Sequence, residues 1–157
     1  MLRLALAVLH LLALGIGLGA VWARARALGG PLDGAAVRRA FAADSWWGVA
    51  AGVWLATGLW RLFAGTEKAT EYYLRNGAFH VKMGLFVLIL ALEMWPMVTL
   101  VRWRMAARAS GAGRAAELAP YAGRARRIAT ISYVQVGLVV LMVTAAVAMA
   151  HGMGARG

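Results

Sequence analysis

Residues 79–96 read FHVKMGLFVLILALEMWP. The run is apolar almost throughout, yet Lys82 interrupts one end and Glu93 the other. A water-soluble domain is nearer half apolar. This chain of 157 residues is 62% hydrophobic, with a mean hydropathy of +0.69. In that setting the run reads as a membrane span, and an ionisable residue inside a span is a functional-site candidate by default. Lys82 and Glu93 are eleven residues apart, about three helical turns, so they share one face of the helix. That face is expected to meet other helices and not lipid.

Working outward, three further runs have the length of about 20 residues needed to cross a hydrocarbon core of roughly 30 Å. The expected spans cover residues 2–23, 44–63, 78–100 and 128–150, in one domain of 1–157. The first run is read as a retained helix, not a removed signal peptide. Between the first two spans, Arg24 to Ala43 reads as a loop broken by GGPLDG, with Asp33 placed to cap a short interfacial helix through Phe41. Pro96 removes a backbone donor inside the third span. Gly15 with Gly19, and Gly48 with Gly52, form two GxxxG pairs. Such pairs permit close backbone approach inside one bundle or across a homodimer. The fold class is therefore all-α membrane: an antiparallel four-helix transmembrane bundle.

The net charge is +11 and the sequence pI about 11.6. The arginines crowd beside apolar runs, where anionic headgroups and topology account for them without nucleic acid. Of the 17 basic residues, Arg24, Arg26, Arg38, Arg39, Arg102, Arg104, Arg108, Arg114, Arg124, Arg126 and Arg127 flank the links after spans one and three. The positive-inside rule places those links in the cytoplasm and both termini outside, in a bacterial inner membrane. With no cysteine, disulfides, thiolate catalysis and cysteine-ligated clusters are excluded.

Antiparallel spans turn sequence position into depth. His10, Thr57, Arg61, His80, Lys82 and His151 fall toward the end that holds the termini. His10 is the deepest histidine, about eight residues or roughly 12 Å from its helix end. Toward the opposite end, Glu93 and Gln135 match in depth, with Asp44, Ser132, Arg24 and Arg127 nearer that surface. Glu93 reads either as a carboxylic acid bonded to Gln135 or as the partner of an arginine. Lys82 reads either as a site residue or as an amine snorkelling along its apolar stem. A neutral imidazole ligates haem iron or copper. One reading therefore sets His10 as an axial ligand for a flat cofactor, with Lys82 or His80 facing it. Another sets His10, His80 and His151, with Met149 and Met153, around copper. A third has the polar residues only locking helices together.

The same residues carry a family resemblance. LHLLALGIGLGAVWARARAL (9–28), GVWLATGLWRL (52–62) and FHVKMGLFVLILALE (79–93) resemble the first three helices of the HemJ-type protoporphyrinogen oxidases. The CopD-type copper-resistance membrane proteins are wider relatives of that type. Over nearly the whole chain, the sequence resembles an uncharacterised bacterial four-helix membrane family. Its D-x-x-W-G, T-G-L-x-R and K-M-G-L-F…E-x-W-P-M-V-T signatures fall at Asp44–Gly48, Thr57–Arg61, Lys82–Phe86 and Glu93–Thr99. The HemJ resemblance implies b-type haem held at His10, with Lys82 as ligand or charge partner, in a membrane oxidoreductase served by a membrane redox partner. Thr57 and Arg61 would then adjoin the cofactor, and Glu93 would relay protons or hold structure. Span four lacks the asparagine- and proline-bearing pattern of those oxidases. That departure speaks against the porphyrinogen substrate more than against the cofactor.

Overall fold

The computed structural model describes residues 1–63, 77–109 and 121–151. They form four helices: α1 (Leu2–Gly29), α2 (Gly34–Phe63), α3 (Gly77–Ala109) and α4 (Ala122–Ala150). The apolar runs underestimate them, because helix formation continues past the edge of the hydrophobic stretch. Residues 24–43, expected as a loop, are mostly helical. Alanine and arginine are good helix formers, so ARARAL extends α1 until Gly29, Gly30 and Pro31 stop it. α2 restarts at once. Asp33 Oδ1 accepts the Ala36 N–H at 2.6 Å, and the Asp33 carbonyl accepts the Val37 N–H at 3.0 Å. The aspartate thus satisfies donors of the first turn. α3 runs through Pro96, whose ring is buried.

Three of the helices, α1, α3 and α4, are long and apolar enough to cross a membrane, with mean hydropathies of 2.3, 2.1 and 2.1 over their best windows. α2 is 30 residues long but less apolar. Arg38, Arg39 and Asp44 occupy its first half, and Trp46, Trp47, Trp54 and Trp60 stand where aliphatic residues would raise its hydropathy. Only 22% of each spanning window is buried within the protein. The outward surface is leucine, valine and tryptophan, which needs an apolar solvent. The chain is an all-α membrane protein, in contact with the lipid bilayer.

α1 packs along α2 and α4, and α4 along α3, while α2 and α3 meet only thinly. The core is layered. At the α1–α2 turn, Leu28, Val37, Leu100, Trp103 and Ile128 centre one apolar cluster. Nearer the termini, Ile89, Val139 and Met142 centre another, covered by Trp47, Trp54, Leu85 and Phe86. A polar layer lies between the two clusters.

The two GxxxG pairs do not mediate helix packing within the bundle. A Cβ at Gly15, Gly19, Gly48 or Gly52 would meet nothing within 4 Å. Between the first pair, Gly17 admits a neighbour instead: a Cβ there would stand 3.1 Å from the Trp47 ring. Gly17→Leu should therefore lower stability by about 1–3 kcal/mol through overpacking, whereas Gly15→Leu should not. Thermal unfolding of both variants in detergent checks this, since they gain the same helix propensity and differ only in what the new side chain meets.

Candidate functional site

Two polar layers hold the candidate residues. The first is built around Arg24, which is fully buried at 0% exposure. A guanidinium carries five N–H donors in a fixed planar fork. All five find acceptors here. Nε donates to Ser132 Oγ at 3.0 Å. Nη1 donates to Asp44 Oδ1 at 3.0 Å and to Glu93 Oε1 at 2.6 Å. Nη2 donates to Glu93 Oε2 at 2.7 Å and to Gln135 Oε1 at 3.1 Å. The pair with Glu93 is thus bidentate, the strongest form of a charge-assisted bond.

The acceptors are held in turn. Gln135 Nε2 donates to Glu93 Oε2 at 2.8 Å and to the Ile89 carbonyl at 3.3 Å. Arg104 Nη2 approaches Asp44 Oδ2 at 3.4 Å and donates to the Phe41 carbonyl at 2.8 Å, with its guanidinium 5.1 Å from the centre of the Phe41 ring. Arg24 comes from α1, Asp44 from α2, Glu93 and Arg104 from α3, and Ser132 and Gln135 from α4. Every helix contributes, and the charges balance as two cations against two carboxylates. Both Glu93 oxygens are occupied, so the carboxylate acts here as an acceptor in a closed clamp.

The second layer lies toward the termini. His10 Nδ1 is 2.9 Å from Thr57 Oγ1, and the imidazole stacks on the Trp54 indole with centroids 5.3 Å apart. Thr57 Oγ1 also lies 2.8 Å from the Val53 carbonyl and 3.1 Å from that of Trp54. Carbonyls only accept, so the single hydroxyl proton goes to them, and the hydroxyl oxygen accepts Nδ1–H from His10. That bond places a proton on Nδ1. Gly58 lets the ring pack close to α2, since a Cβ there would stand 3.3 Å from Cε1. Trp54 Nε1 is buried and has no hydrogen-bond acceptor among the described residues.

Lys82 is half-buried on α3. It stands four residues before Phe86, on the same helix face, and Phe86 meets Trp54 edge-on with centroids 5.4 Å apart. Lys82 thus lies on the side of α3 turned toward the His10 layer, one turn nearer the termini. His80 is exposed and contacts the Phe79 ring. His151 is exposed and donates from Nδ1 to the Val147 carbonyl at 2.9 Å. Among the described residues, no three of the His, Asp and Glu side chains are grouped to hold a metal ion, so His10, His80 and His151 do not form one such group. The Arg61 side chain and Met153 lie outside the described residues.

Glu93 and Gln135 meet, as their matched depths in the sequence imply, and Asp44 and Ser132, expected nearer the surface, join them through Arg24. The residue the sequence hides is Arg24. Its position beside Trp22 and Arg26 reads as an interfacial flank, but the buried face of α1 runs Ala13, Gly17, Ala20, Val21, Arg24 and Leu28. That face is a helical stripe of small residues with one arginine set in it. Two carboxylates on other helices at the same depth were the further signal that a cation had to meet them.

Fold and site together define an integral membrane protein with a buried ionic clamp. The chain belongs to the DUF2214 family, described as a predicted membrane protein family, which it matches over residues 2–154. No curated protein and no solved structure matches it significantly.

Removing Arg24 takes both its guanidinium bonds from Glu93 and leaves Asp44 with Arg104. Arg24→Met is expected to cost about 3–5 kcal/mol, as for one partner of a buried pair. Arg24→Met combined with Glu93→Gln should cost less than the sum of the two single variants. Unfolding of the four proteins in one detergent gives the coupling. Additive losses would mean that the bidentate pair carries no stability.

Proposed function

We propose that this protein is a membrane redox component that holds b-type haem at His10. The observation that carries the reading is the preset imidazole. Thr57 Oγ1 accepts a hydrogen bond from Nδ1–H, and Trp54 supports the ring from one face. Orientation of a ligating histidine through its other ring nitrogen is the usual second contact at metal sites. The orphaned Trp54 Nε1–H fits an occupant beside the ring that brings an acceptor. Resemblance of these segments to the HemJ type points the same way.

Haem, when bound, supplies one-electron redox chemistry. The chain's own residues then divide the work. His10 gives Nε2 as ligand, Thr57 fixes the ring, and Lys82 brings a positive charge to the same side of α3. Glu93 holds helices together at the other level and takes no part in the chemistry. A membrane partner would exchange electrons with the site. By the positive-inside rule the Arg24 end faces the cytoplasm and the His10 end faces outward, in the bacterial inner membrane.

Purified protein from cells supplied with a haem precursor should show a Soret band, which His10→Ala abolishes. Thr57→Val should leave the fold intact and weaken haem retention by about 10–100-fold, the usual loss when a contact supporting a ligand is removed. Lys82→Met should shift the band or the redox midpoint. A colourless wild-type protein whose stability does not rise on adding haem would sink the proposal, and the polar residues would then be structural.

A further inference from the structure

Between α1 and α2, on the outside of the bundle, runs a groove of about 780 Å³. We propose that it binds one anionic phospholipid of the leaflet at the Arg24 end of the bundle. The proposal is independent of the haem reading.

Three features select that occupant. The first is charge. Arg26 and Arg39 both line the groove and both are exposed, while none of its lining residues is acidic. Arg26 is held with its guanidinium 5.6 Å from the centre of the Trp22 ring, so one cation is positioned before any ligand arrives. The second is the belt. Trp22 lines the groove one turn from Arg26, and tryptophan favours the headgroup level of a bilayer. The third is length. From Arg26 down to Ile16 is ten residues, roughly 15 Å at 1.5 Å per residue, or half of a hydrocarbon core of about 30 Å. The floor between them is Gly19, Ala20 and Ala23, small enough to leave a slot for one acyl chain.

A groove ending at mid-membrane fits a lipid of one leaflet better than a partner helix that crosses both. A second copy of this chain is disfavoured for another reason. A twofold interface sets the same patch against itself, which would bring Arg26 and Arg39 toward their own copies. A phosphodiester headgroup instead accepts from both guanidiniums while its chain fills the slot.

The test is native mass spectrometry of the full chain in detergent. It is titrated with phosphatidylglycerol, with phosphatidylcholine of the same acyl chains, and with glycerol phosphate as the headgroup alone. The wild type should retain one phosphatidylglycerol about tenfold more strongly than phosphatidylcholine, as two nearby arginines imply. Arg26→Ala with Arg39→Ala should bring the two lipids level. Gly19→Leu keeps both charges but blocks the slot, and should lower retention of phosphatidylglycerol. Equal retention of both lipids by the wild type overturns the proposal without any variant. So does full competition by glycerol phosphate, which would mark a free-phosphate site, or a dimer mass that Gly19→Leu abolishes, which would mark a contact between copies.

Discussion

A guanidinium cannot shed its charge in a protein, so Arg24, buried at the end of an apolar span, must be neutralised or expelled. The bundle neutralises it. Five donors in one plane require five acceptors at fixed directions, and these arrive from three other helices. Sliding any helix by one residue moves its acceptor about 1.5 Å along the axis and 100° around it, which breaks the set. The clamp therefore fixes the register of all four helices, a task that apolar packing alone leaves loosely specified. The apolar clusters on either side keep water from competing for the same donors. Whether the pair adds net stability over a well-packed apolar layer is a separate matter, since dehydrating both charges offsets much of the attraction. Its clearer effect is that wrong registers leave a charge unmet.

The two polar layers differ in how far they are closed. Around Arg24 every donor of the fork and both oxygens of Glu93 are used. Around His10 the Nδ1 side is fixed, yet the neighbouring indole keeps a buried N–H without an acceptor among the described residues. An orphaned donor in a dry site costs about 1–3 kcal/mol. Arg104 Nε beside Asp44 is likewise buried without an acceptor among the described residues, so the rim of the Arg24 layer carries an orphaned donor too. The centre of that layer is closed by paired charges, whereas the other layer is built from an imidazole, a hydroxyl and an indole. This division explains why Glu93 and Lys82, which share a face of α3 and look equivalent in sequence, belong to different parts of the molecule.

Hydropathy made most of the fold legible. Four helices and their alternation follow from where the apolar runs lie, because in lipid each segment must satisfy its own backbone. The helix ends were less legible, since ARARAL and the residues after Gly34 are polar enough to read as a link but are good helix formers. Glu93 and Gln135 could be matched by depth, while Arg24 was obscured by a sound rule that arginines beside spans mark the interface. Only the rotational phase of α1 separates Arg24, on the stripe with Ala20 and Leu28, from Arg26, which faces out. The glycines mislead for the same reason. Spacing made Gly15 and Gly19 a pair, but Trp47 packs against the unpaired Gly17 between them.

Depth then ties the two layers to the membrane. His10 and Arg24 are fourteen residues apart on α1, about 21 Å, inside a hydrocarbon core of roughly 30 Å. α1 itself has 28 residues, about 42 Å, and so overhangs that core at both ends. If the overhang is shared evenly, each layer lies a few ångströms below its own interface, with the apolar cluster of Ile89, Val139 and Met142 at the centre. That placement follows the cost of each group. The permanent charge sits at the end where the basic links gather and where anionic headgroups are close, and its carboxylate partners accompany it. The imidazole stands at the other end, donating from Nδ1 to Thr57 and stacked on Trp54. The midplane, where any charge would cost most, is left to aliphatic and aromatic side chains.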